Sequence, residues 1–116
     1  MREAVRDPHR LNHILESIEK LEATQYEYDL FSMSQKDIIY FGIVKLLEII
    51  GEASYKLTNE FRQAHPQTSW DLIIGMRHIL VHGYYIVNKQ DVIKTIKEDL
   101  PILKNQIISY LKEFDI

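Results

Sequence analysis

In the stretch GMRHILVHGYY, residues 75–85, five side chains that can handle a proton or a phosphate fall close together: Arg77, His78, His82, Tyr84 and Tyr85. Histidine titrates near neutrality and can give or take a proton during phosphodiester cleavage. The planar fork of arginine matches phosphate geometry, so it can bind the group and stabilise charge developing on it. An RNA 2′-hydroxyl can serve as the nucleophile, and that reaction requires no metal. A helix C-terminus also favours a protonated histidine, because the carbonyl end carries partial negative charge. The same residue types near a helix end equally serve as caps and surface charges. The motif alone does not decide between these.

Spacing sets a geometric problem. Arg77 and His82 are five residues apart, about 140° of rotation and about 7.5 Å of rise on an α-helix, so they do not share a face. His78 and His82, four apart, do. A site using both Arg77 and His82 needs the helix to loosen near Gly83, or a symmetry mate to supply part of it.

The elements that must position these residues are helical. No alternating strand pattern persists, whereas the helical period does. Asp7-Pro8 starts a first helix, with Leu11, Ile14, Leu15, Ile18 and Leu21 as its apolar stripe, and TQYEYDLF is read as a connection. Ser34 and Asp37 resemble a capping box before a long segment that is apolar over most of its circumference, as a helix contacted on several sides would be. Gly51 within it costs about 1 kcal/mol relative to alanine, which points to a close helix–helix approach. A short helix capped by Thr58 or Asn59 stops at Pro66. Ser69 caps a third main helix, Trp70 to about His82, with Gly83 as its left-handed terminator. Gln90 or Asp91 opens the last helix, where Pro101 predicts a kink or a restart. The expectation is one all-α domain over residues 1–116: a bundle of four main helices plus short connecting ones.

The totals narrow the function. A chain of 116 residues closes one core. With 46% apolar and 27% charged residues its composition is that of a globular protein. It has no cysteine, hence no disulfide framework and no thiolate metal site. The charged start MREAVRDPHRLNH lacks the apolar run of a signal peptide, and IIYFGIVKLLEII is too short and too interrupted to span a bilayer. A cytoplasmic protein without a membrane anchor is expected. The net charge of −3 means that any RNA binding must rest on a local site rather than on the overall field.

RHILVHGY resembles the R-x-x-x-x-H-x-Y motif of HepT-like proteins in the HEPN superfamily. RLNHILESIEKLE, LLEIIGEASYKL, HPQTSWDLIIGMR and DLPILKNQI are similar to the same family in the same order, so the resemblance covers nearly the whole chain. It implies a HEPN-like helical homodimer whose arginines and histidines meet in a cleft at the dimer axis and cut RNA without metal or cofactor. Carried over, Arg77 is the phosphate-binding and transition-state residue, His82 the general acid/base and His78 a third polar member. The resemblance further implies the toxin half of a toxin–antitoxin pair. Its antitoxin, MntA, is a minimal nucleotidyltransferase that transfers AMP to the motif tyrosine, here Tyr84. A twofold axis resolves the spacing problem by presenting both Arg77–His82 pairs to one cleft.

Other candidates weigh differently. Glu52 either orients Arg77 as a carboxylate–guanidinium pair or is an ordinary surface acid. Tyr85 is read as packing rather than a second modification site. His9 and His13 have the spacing of a helical metal pair, but no third ligand lies nearby in sequence, so a solvated face is expected. Trp70, Phe61 and Met76 are read as core, and His65 as part of a turn. The acidic charge also motivates a second reading from another class, a non-catalytic binding subunit that partners a nucleotidyltransferase.

Overall fold

A computed structural model describes residues 5–83 and 88–114. Among them there is no strand. The helices are α1 (Asp7–Glu27), α2 (Ile38–Lys56), α3 (Asn59–Ala64), α4 (Trp70–His82), α5 (Lys89–Lys94) and α6 (Leu100–Lys112), with a π-helical turn, Thr95–Asp99, joining the last two. The architecture is an all-α bundle. The central helix α2 packs against α1 on one side and α4 on the other, and α6 packs against α1.

The apolar periods explain this arrangement. In α1 the buried Leu11, Ile14, Ile18 and Leu21 recur every three or four residues and face α2 and α6. In α2, Ile43, Leu47 and Ile50 are essentially inaccessible. Burying each such side chain contributes about 1.5–3 kcal/mol. Ile38, Phe41 and Tyr55 on the same helix stay exposed, so the apolar circumference exceeds what one chain covers.

Polar side chains fasten the helix ends. Asp7, only 3% exposed, accepts hydrogen bonds from the Thr58 backbone N–H (3.0 Å) and hydroxyl (2.8 Å). Thr58 in turn accepts from the Phe61 N–H and so caps α3. His65 opens the turn between α3 and α4, where it is buried and stacked on Phe61 at 3.9 Å. Its Nδ1 lies 2.7 Å from the Phe61 carbonyl oxygen and its Nε2 2.9 Å from the Glu113 carboxylate. Trp70 Nε1 donates to the His65 carbonyl, closing this cluster under α4.

Several boundaries depart from the sequence reading. Helix α1 continues through Thr24 to Glu27, absorbing half of the expected connection. Asp37 accepts from the Ser34 N–H, but the Ser34 hydroxyl accepts from Lys36 and the chain forms a turn there, with α2 beginning only at Ile38. Ser69 holds the N-cap position of α4 without a side-chain cap bond. The last helix opens at Lys89, one or two residues earlier than expected, with the Asn88 side chain accepting from the Asp91 N–H. Pro101 does force a restart. It sits in the first turn of α6, where its missing N–H costs nothing, and the π turn ahead of it absorbs the change.

Candidate active site

The site begins at the crossing of α2 and α4, which is set by Gly51. A Cβ there would lie 2.2 Å from Arg77 Cβ, 2.9 Å from Arg77 Cγ and 3.2 Å from the Ile73 carbonyl oxygen. Only a residue without a side chain lets the two backbones come this close. The glycine that weakens α2 locally is therefore the one that seats the stem of Arg77.

The Arg77 guanidinium then emerges beside Glu52, with Nη2 to Oε2 at 3.5 Å. That distance is long for a hydrogen bond, and both side chains are partly exposed, so the contact orients more than it stabilises. The other Glu52 oxygen lies 3.4 Å from Lys56 Nζ, so one carboxylate is shared between two cations. Arg77 Nε is buried and has no hydrogen-bond partner among the described residues. Glu52 therefore does pair with Arg77. Lys56 has no place in the sequence-based site, although its four-residue spacing from Glu52 is a helical ion-pair signal.

Helix α4 is regular to its end. The Gly83 N–H donates to the Ile79 carbonyl at 2.7 Å, and Gly83 adopts φ −139°, so it caps the helix without entering the left-handed region. The expected left-handed terminator is thus absent, and the helix does not loosen ahead of Gly83. His82, the last helical residue, is exposed, and its ring lies 4.7 Å from that of His78. Within one chain the fold brings Glu52 to Arg77 and His78 to His82. It leaves Arg77 and His82 on different faces. Tyr84 and Tyr85 lie outside the described residues.

The exposed side of α4 carries Leu72 (74% exposed) and Ile79 (46%) on one stripe, with Gly75 between them and His82 following at its end. A model of the family described as "Ribonuclease HepT-like" matches residues 14–110, which takes in the Gly51–Arg77 crossing and the whole of α4. The chain belongs to this HepT-like family. It is 38% identical over 98 residues to a protein of Thermococcus cleftensis named "Probable ribonuclease HepT", covering 83% of this chain and 87% of that one. It is 33% identical over 97 residues to MJ1380 of Methanocaldococcus jannaschii, named as a candidate RNase, covering 84% and 89%. No solved structure matches it. By this resemblance the all-α bundle is a HEPN-like fold of a ribonuclease family.

Proposed function

We propose that this HepT-like chain is a metal-independent endoribonuclease, the toxin of a toxin–antitoxin pair, acting in the cytoplasm as a homodimer of a single domain over residues 1–116. The observation that carries the reading is the regularity of α4 through His82. It leaves Arg77 and His82 about 140° apart on one helix, and a second copy is the remaining way to bring both to one phosphate. The exposed Leu72–Ile79 stripe beside His82 supports that pairing, since an apolar helix face of this kind favours a twofold contact.

In this reading the RNA 2′-oxygen attacks phosphorus while the bond to the 5′-oxygen breaks, leaving a 2′,3′-cyclic phosphate and a 5′-hydroxyl. His82 of one copy accepts the 2′-hydroxyl proton, and His82 of the other protonates the leaving oxygen. Arg77, aimed by Glu52, balances charge developing on the non-bridging oxygens. His78 lies near enough to His82 to support it. No cofactor is needed. A MntA-like nucleotidyltransferase antitoxin silences the enzyme by transferring AMP from ATP to the Tyr84 hydroxyl with release of pyrophosphate, adding bulk and negative charge that disfavour RNA.

The test is cleavage of a labelled RNA in EDTA by wild type and by His82→Ala. Mass spectrometry of the same samples establishes that Tyr84 carries no AMP. Cutting by wild type alone is expected. A folded, unmodified wild-type dimer that leaves a range of RNAs intact would return the chain to the binding-subunit reading.

A further inference from the structure

The first two turns of α1 and the residue before it place Arg6, His9, Arg10 and His13 along one helix face, at spacings of three and four. The last two turns of α2 lie opposite and contribute Glu52 and Lys56. Together they line a groove of about 290 Å³. Arg10 donates to the Lys56 carbonyl and so holds the groove's two walls together at the end of α2. His9 and His13 stand ring to ring, with centroids 4.3 Å apart.

The charge of this groove opposes that of the chain. Among the described residues its lining carries Arg6, Arg10 and Lys56 with one carboxylate, Glu52, on a protein of net charge −3. Among the described residues no three histidines or carboxylates gather to hold a metal ion. The groove is also not isolated. Glu52 forms part of its wall and lies 3.5 Å from the Arg77 guanidinium, so one carboxylate links the groove to that arginine.

We propose that this groove is a second phosphate-binding subsite, which holds the RNA backbone flanking the bond to be cut. The inference rests on the ribonuclease reading for what lies at Arg77. Its own content is separate: Arg6 and Lys56 contact a flanking phosphodiester, and the paired imidazoles of His9 and His13 contact the adjoining sugar or base. Such a subsite answers the difficulty posed by the acidic net charge. It gathers positive charge in one groove of an acidic protein.

The test uses the full chain with Arg6→Gln, His9→Gln and His13→Gln combined, leaving Arg10 in place because it fastens α1 to α2. Binding of a fluorescent single-stranded RNA, made uncleavable by 2′-O-methyl groups, is followed by anisotropy across a salt series. The triple variant should bind about tenfold more weakly, with a salt slope shallower by about 0.7 for each phosphate that is no longer neutralised. Its kcat on cleavable RNA should be unchanged and its KM raised. A variant with wild-type affinity and slope overturns the subsite, including the case in which these residues serve a protein partner instead. A wild type that binds no RNA overturns it as well. Cleavage by the wild type, scored in parallel, reports on the catalytic reading alone, so the two fail separately.

Discussion

Two histidine pairs in this molecule are nearly the same local object. His9–His13 and His78–His82 are each four residues apart on an exposed helix face, with ring centroids 4.3 and 4.7 Å apart and interplanar angles of 56° and 52°. What differs is their surroundings. The first pair faces a groove edged by Arg6, Arg10 and Lys56. The second ends a helix whose exposed stripe is apolar, Leu72 and Ile79, and whose opposite side carries Arg77 against α2. A common spacing thus takes a different setting from what distant segments bring to it: one pair sits among cations, the other at the end of an exposed apolar stripe.

The largest expected effect breaks the symmetry between the pairs. His82→Ala should lower kcat for RNA cleavage by about 10²–10⁴-fold, the range of a missing general acid or base, with RNA affinity kept. His9→Ala should do the reverse, weakening affinity with kcat kept. Single-turnover cleavage together with anisotropy separates the two. If both variants moved the same parameter, the division of labour between the pairs would be wrong.

How much of this was legible in the sequence follows from the range of each interaction. The relation of His78 to His82, and the divergence of Arg77 from His82, are fixed by helical geometry and are readable from spacing alone. Gly51 was readable too, because a glycine inside a strongly apolar helix incurs a local cost that only a close approach offsets. The groove was not readable. Arg6 and Lys56 are fifty residues apart, and nothing local indicates that α1 lies along the end of α2. The caps failed for another reason. Ser34, Ser69 and Gly83 each carry the right chemistry for a helix end, but a serine hydroxyl has several backbone partners within reach. Gly83 ends the helix with its N–H on the Ile79 carbonyl but at φ −139°, outside the left-handed region.

The next effect tests how the second region is positioned. Gly51→Ala introduces a Cβ 2.2 Å from Arg77 Cβ. Neither atom is the flexible end of a side chain, so α2 and α4 must separate. A destabilisation of about 1–3 kcal/mol in urea denaturation is expected, the range of overpacking a tight contact. Cleavage should fall by more than the unfolded fraction explains, because the stem of Arg77 moves with α4. The His9–His13 groove lies toward the α1 side of α2, so RNA affinity should change less than kcat. Equal stability of Gly51→Ala and wild type would mean that the crossing is looser than its geometry implies.

The smallest effect is at the residue the two regions share. Glu52 touches Arg77 and lines the basic groove, so Glu52→Gln acts on both with opposite signs. The ion pair is partly exposed and 3.5 Å long, worth under about 1 kcal/mol to stability, and denaturation should barely register its removal. Without the carboxylate Lys56 loses its Glu52 partner, so RNA should bind a few-fold more tightly at low salt, the gain fading as salt screens it. With Arg77 no longer aimed, kcat should fall by a similar factor. A purely structural Glu52 would leave both kinetic parameters where they were, and a purely electrostatic one would move affinity alone. Only a residue that both orients Arg77 and tempers the groove drives kcat and KM down together.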